Sequence, residues 1–287
     1  MHPAIAQLAA DRTSGATALV LQAIAILQSL ALDRGALERG ARDLCRAQPS
    51  MAGLYTAGAL SLSASDPASA LGALAARVAR ASATIARLAA PLIALRQHPR
   101  ALRIVTTSRS AAVETTLLAL AASEDVHVSC GESRPAREGI GLAARLSEAR
   151  IRTDLYTDAG LSTAVPGSDA LIVGADALGS GAFINKAGTG ALCALAAAEG
   201  VPVFVLAGRE KILPDVVFAA LPLAEGHADE VSVPGGPYAI RNPYFERVSW
   251  LPVGHVVTDG GEVQPRQLVT ACSWSEFMTH AYMSHIR

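Results

Sequence analysis

The sequence predicts an α/β protein: a helical N-terminal domain followed by a Rossmann-like, mostly parallel sheet covered by helices. Three observations lead there. Residues 1 to about 98 read as almost wholly helical, rich in alanine and leucine. After Arg100 short apolar runs alternate with helical stretches, the order of strands and crossover helices in a parallel sheet. Several of those runs end in polar or glycine residues, and a parallel sheet brings such ends to one edge, where open α/β sheets bind ligands. The change of pattern divides the chain into 1–98, helical, and 99–287, a Rossmann-like ligand-binding domain, with no Gly/Ser linker between them.

In the helical half, starts are expected at Ser14 and Asp33, interruptions at Gly35 and Gly40, and boundaries at Pro49 and Pro67. Asp66-Pro67 reads as a cap followed by proline at the first helical position. The helix it opens carries Leu71, Leu74, Val78, Ile85 and Leu88 on one apolar stripe, which Pro91 kinks or ends. Strands are expected at Arg103–Thr106, Val126–Ser129, Thr153–Thr157, Ala170–Val173 and Val203–Leu206, with helices near Ala111–Ala122, Ala136–Arg150 and Lys186–Glu199. Apolar runs around Glu230–Val233 and His255–Thr258 are expected to extend the sheet.

Composition excludes several function classes. Hydrophobic residues make up 51% and charged residues 17%, which indicates a compact folded chain. Lys and Arg number 24 against 25 Asp and Glu, with no basic tract, so nucleic acid is not an expected partner. Cys45, Cys130, Cys193 and Cys272 are widely spaced and form no CxxC, which fits a reducing compartment and argues against a zinc site or a disulfide framework. No metal and no cofactor is expected. The apolar run Ala16–Leu32 is interrupted by Thr17, Gln22, Gln28 and Ser29, so no membrane partner is expected and the location read from the sequence is cytoplasmic.

The most informative stretch is Leu171–Gly190, LIVGADALGSGAFINKAGTG. It reads as a strand ending in Gly174-Ala175-Asp176, a glycine-rich turn, and a helix entered at about Asn185. Gly179 and Gly181 would let a ligand approach the backbone, free N–H groups at the helix start favour an anion, and Lys186 adds a positive charge. A carboxylate beside an ammonium and a phosphate-sized notch suggests phosphorylated small-molecule chemistry. Other strand ends add Ser108 and Ser110, Cys130 and Arg134, Asp158, and Lys211. Ser108 and Ser110 either cap the following helix or contact phosphate. Arg134 is shaped for bidentate phosphate recognition, and Asp158 reads as a plain helix cap. Ser14-Gly15-Ala16 and Ser50 precede helical runs, where capping and phosphate binding are compatible. There is no GxSxG, and GSGAFINKAG is no dinucleotide fingerprint.

The run GADALGSGAFINKAGT, together with GESRPAREG and NPYFERVSWLPVGHVVTDGGEVQP, resembles the family that joins methylthioribose-1-phosphate isomerase, ribose-1,5-bisphosphate isomerase and the α, β and δ regulatory subunits of eukaryotic initiation factor 2B. The resemblance covers roughly Arg103–Pro265 and, more thinly, DRTSGA at Asp11–Ala16. It implies an isomerase whose catalytic pair is a cysteine after the first strand and the aspartate that Asp176 matches, with Asn185, Lys186, Lys211 and Ser14-Gly15-Ala16 as substrate contacts. Ser108 stands where the isomerases have the cysteine, Glu138 replaces a glutamine, and Gln48 replaces an arginine.

The expected function is therefore aldose-ketose isomerisation of a phosphorylated sugar, with Asp176 as acid/base and Ser108 or Cys130 in the second role. The alternative is a non-catalytic sugar-phosphate or nucleotide-binding regulator, and a scaffold subunit is a third reading. The resemblance also implies a homodimer or higher homo-oligomer.

Overall fold

The computed structural model describes residues 2–11, 14–94, 100–223, 225–233 and 235–287. Arg12 and Thr13 of the expected early segment, and the boundary expected near residue 98, lie outside the described residues.

Five helices open the chain: α1 (Pro3–Ala10), α2 (Ala16–Ser29), α3 (Arg34–Ala47), α4 (Ala52–Ser63) and α5 (Pro67–Ala94). Asp33 caps α3, its carboxylate accepting from the Ala36 N–H at 3.0 Å, and Asp66 caps α5 through the Ser69 N–H at 3.1 Å. The expected start at Ser14 falls one residue later, with Gly15 as the cap of α2. Gly35 and Gly40 do not interrupt α3; a Cβ at Gly40 would come within 2.6 Å of Leu30, so this glycine lets two helices approach. In α5 the residues Leu71, Leu74, Val78 and Ile85 are buried, and the helix runs through Pro91 to Ala94.

The second half alternates as expected: β1 (Leu102–Thr106), α6 (Ala111–Ala121), β2 (Val126–Gly131), α7 (Glu138–Glu148), β3 (Arg152–Tyr156) and β4 (Ala170–Gly174). Two short strands, β5 (Ala177–Leu178) and β6 (Ala182–Lys186), then precede α8 (Thr189–Ala198), β7 (Val203–Leu206) and α9 (Asp215–Ala220). The chain closes with β8 (Phe245–Ser249), β9 (His255–Thr258), β10 (Gly261–Val263), α10 (Leu268–Ala271) and α11 (Glu276–Ala281). The large sheet has the order β10-β9-β7-β4-β1-β2-β3, parallel except for β10. From β1 the chain winds outward through β2 and β3, returns to β4 on the other side of β1, and winds outward again. The carboxyl ends of β1 and β4 therefore flank the point where the winding reverses, the place where such sheets open a crevice.

Two expectations about this half are corrected. Asn185 and Lys186 end β6 and do not begin a helix, because β6 pairs antiparallel with both β5 and β8 in a small second sheet. The Glu230–Val233 run adds no strand; it follows a 3-10 turn at Ala228–Glu230.

The N-terminal helices share their core with the C-terminal end of the chain: Leu54 and Leu44 pack in one buried cluster with Ile184, Phe218, Met278 and Tyr282. A second cluster joins α5, α6 and α7 to one face of the sheet, and a third joins α8 to the other. This wraps the helices over the carboxyl edge, so the crevice gains a roof. No described helix is long and apolar enough to cross a membrane.

Candidate active site

A cavity of about 870 Å³ lies over that crevice. Thr107, Ser108 and Ser110 reach it from the end of β1, Gly174, Ala175 and Asp176 from β4, Asn185 and Lys186 from β6, and Gly208, Glu210 and Lys211 from β7. The helical half contributes Ser14, Gly15, Ala16 and Ser50, with Leu19, Val78 and Ile85 as an apolar wall.

Asp176 is anchored through its backbone, the N–H donating to Ile184 O at 2.8 Å and the carbonyl accepting from the Ala52 N–H at 3.2 Å. Its carboxylate forms no hydrogen bond among the described residues. Burial pushes its pKa up, the Lys211 and Lys186 ammonium groups pull it back in part, and the nearby Glu138 carboxylate adds to the rise. The result is a partly buried acid on the cavity wall with its proton more tightly bound than usual, the direction that suits proton transfer.

Both lysines are buried. Lys211 Nζ donates to Ala175 O at 2.7 Å, and Lys186 Nζ pairs with Glu138 Oε1 at 2.8 Å while lying 4.7 Å from the centre of the Tyr244 ring. Ser108 joins the same carboxylate, its Oγ donating to Glu138 Oε1 at 2.9 Å. Asn185 Nδ2 donates to Thr189 Oγ1 at 3.0 Å, and Ser50 Oγ donates to Pro222 O at 3.0 Å. Glu210 is a further buried acid: burial raises its pKa, partly offset by Lys211, and its carboxylate folds over Gly208, where a Cβ would come within 2.3 Å of Oε2.

Two helices present free N-termini to this space. Gly15 caps α2 and Ser110 caps α6 without any side-chain hydrogen bond, and both helix starts line the cavity. Their first N–H groups are open to an anion.

The remaining expected residues lie elsewhere. Cys130 is fully buried, its Sγ against the Gly131 and Gly139 carbonyls at 3.5 Å, and burial pushes the thiol up to about 12. It does not line the cavity, which removes it from the second catalytic role. Arg134 points outward and donates to the carbonyls of Glu230 and Val231, because the Asp158 carboxylate fixes this turn by accepting from the Ser133 and Arg134 N–H groups, both at 2.7 Å. Asp158 is thus a turn brace and not a helix cap. Gly179 and Gly181 belong to the β5–β6 hairpin, outside the cavity, and neither has a positive φ. The anion notch expected at the next helix is filled from within: Glu246 Oε1 accepts from the N–H groups of Gly188 and Gly190, both at 2.8 Å, at the start of α8. Among the described residues no cluster of His, Cys, Asp and Glu is placed to hold a metal ion.

The family model of the initiation factor 2 subunit family matches residues 12–265. The chain belongs to this family. Ribose 1,5-bisphosphate isomerase of Methanocaldococcus jannaschii is 29% identical over 161 residues, covering 54% of this chain and 52% of that protein. Methylthioribose-1-phosphate isomerase of Roseiflexus castenholzii is 32% identical over 182 residues, covering 58% and 51%. The chain thus spans about half the length of the relatives it matches in sequence. Among solved structures, translation initiation factor eIF-2B of Pyrococcus horikoshii superposes with a TM-score of 0.80 at 24% identity, over 93% of this chain and 97% of that one. The 5-methylthioribose 1-phosphate isomerase of the same organism gives 0.69 at 20% identity, over 93% and 85%. These two share the fold.

Three residues of the site are not singled out as site residues by the sequence. Glu210 stands in the strand-end run Gly208–Lys211 without a role of its own there, and Tyr244 sits in a loop. Glu138 stands out only as a departure from the related isomerases; its pairing with Lys186 spans 48 positions.

Proposed function

We propose that the cavity binds a phosphorylated sugar and that the chain is an aldose-ketose isomerase acting on an aldose 1-phosphate. The observation that carries this reading is Asp176, a carboxylic acid with a raised pKa and an unengaged carboxylate, set between two buried ammonium groups. The open N-termini of α2 and α6 and the Lys186 ammonium suit a phosphate, and the names of the sequence relatives support the substrate class.

In an aldose 1-phosphate the anomeric oxygen is blocked, so the ring opens by breaking the bond from C1 to the ring oxygen, which takes up a proton. Asp176 is the group to deliver it. The hydrogen on C2 moves with its electron pair to C1, and the C2 hydroxyl gives up its proton as the ketone forms. C1 is reduced and C2 oxidised within one molecule, with no external electron carrier.

The test is conversion of ribose 1,5-bisphosphate and methylthioribose 1-phosphate, followed by ¹H and ³¹P NMR with the purified protein. Appearance of the ketose supports the reading. Binding by calorimetry with no conversion supports the second reading, a non-catalytic sugar-phosphate or nucleotide-binding regulator, which the withdrawal of Cys130 from the cavity favours. Self-association belongs to the first reading as well; light scattering at assay concentration should give a multiple of the chain mass, and a single-chain mass contradicts it.

A further inference from the structure

Ser108 and Glu138 are both departures from the related isomerases, and they are hydrogen-bonded to each other: Ser108 Oγ donates to Glu138 Oε1 at 2.9 Å. A serine hydroxyl is a far weaker acid than a thiol, whose pKa is about 8.5, and in place of a cysteine it needs an adjacent base to take its proton. Glu138 is in that position. Its other oxygen, Oε2, is closed to solvent and has no hydrogen-bond partner among the described residues. Lys186 Nζ is the other neighbour on Oε1, at 2.8 Å.

The backbone holds the pair in place with some strain. Ser108 has φ 64°, Ser133 φ 66° and Arg137 φ 57°, all in the left-handed region that non-glycine residues rarely enter. Ser133 Oγ accepts from the Ser108 N–H at 2.7 Å and so fixes the first turn, while Arg137 immediately precedes Glu138 and starts α7. Residues held in such sparsely populated backbone conformations recur at functional sites.

We propose that Ser108 and Glu138 form a proton relay that replaces the family's thiol. The proposal rests on the isomerase reading above. As hydrogen passes from C2 to C1, Ser108 Oγ takes the proton of the C2 hydroxyl and releases its own to Glu138, while Asp176 gives its proton to the ring oxygen. Glu138 ends protonated and Asp176 ionised, and exchange with solvent resets both. Ser108 is the residue that touches substrate; Glu138 acts through it.

The experiment is a double-mutant cycle on the full chain, with ribose 1,5-bisphosphate and methylthioribose 1-phosphate as probes. Glu138→Gln keeps the side chain's size, so it should lower kcat at least about 100-fold, the low end for general-base catalysis, with KM changed by only a few-fold. On top of Ser108→Cys the same change should cost under about ten-fold, because a thiol near pKa 8.5 ionises without help. Ser108→Ala should lose as much as Glu138→Gln and needs no folded Glu138 variant to be read. Equal losses from Glu138→Gln with serine and with cysteine at position 108, or full activity of Ser108→Ala, overturn the relay while the isomerase stands. Absence of turnover by the wild-type chain on both probes overturns the relay together with the isomerase reading.

Discussion

Gly139 is the second residue of α7, next to Glu138, and packs against the end of β2; Gly139→Ala tests whether that packing is as tight as it stands. An added Cβ would lie 1.8 Å from the Gly131 carbonyl oxygen and 3.0 Å from Ser133 Oγ. The first of these is backbone at the end of β2, so no side chain can swing aside. To reach ordinary contact at 3.4 Å, the start of α7 and the end of β2 must separate by about 1.6 Å. Overpacking of this kind costs about 1–3 kcal/mol, and at roughly 2–4 °C per kcal/mol for a domain of this order the melting temperature should fall by several degrees. The same displacement moves Glu138 away from Ser108 and Lys186, so activity should fall further than stability. Gly181→Ala is the control, since nothing lies within 4 Å of a Cβ there. Calorimetry and urea unfolding of both variants provide the comparison. Equal stability of Gly139→Ala and wild type would refute the packing argument.

Three further outcomes follow from burial and charge around titratable groups. The pKa of folded Asp176 lies above its unfolded value, so between the two the folded state holds more protons and stability falls as pH rises. Asp176→Asn should therefore unfold at higher urea than wild type at neutral pH, a difference that shrinks to nothing below the ordinary carboxylate range; a lower midpoint at neutral pH contradicts this. Lys211→Met removes a cation that favours the Asp176 carboxylate, so the limb of the pH–rate profile that reports Asp176 should move to higher pH, and no movement or a downward one contradicts the assignment. Cys130, with its thiol raised to about 12 and no exposure, should escape iodoacetamide at pH 8 in the native protein and react fully in urea, as read by peptide mass spectrometry.

Much of the architecture is legible in the sequence because its signals are local. The uninterrupted apolar run at Ala170–Val173 followed by Gly-Ala-Asp marks a buried strand with an acid at its end, and Asp176 is found there. The stretch after it misleads for a physical reason. Ala182–Lys186 becomes a strand by pairing with Phe245–Ser249, some sixty positions away, and local propensity carries no trace of that partner. The helix start expected to hold phosphate is satisfied by Glu246 from the same distant strand, which shifts the open anion sites to α2 and α6. Arg134 reads as a phosphate ligand because its residue type fits, yet Asp158 sets the turn so that its side chain leaves the cavity. The Ser108–Glu138–Lys186 contact joins three separate segments and becomes visible only when the sheet brings them together.

The central claim is that Asp176 supplies the proton for ring opening, and the measurement that meets it most directly is turnover of an aldose 1-phosphate by wild type and Asp176→Asn under identical conditions. The asparagine keeps the shape and the backbone anchors to Ile184 and Ala52 but has no acidic proton to give. The account predicts a loss of kcat of about 100- to 10,000-fold with substrate binding retained. Equal rates of ketose formation by the two proteins would contradict it.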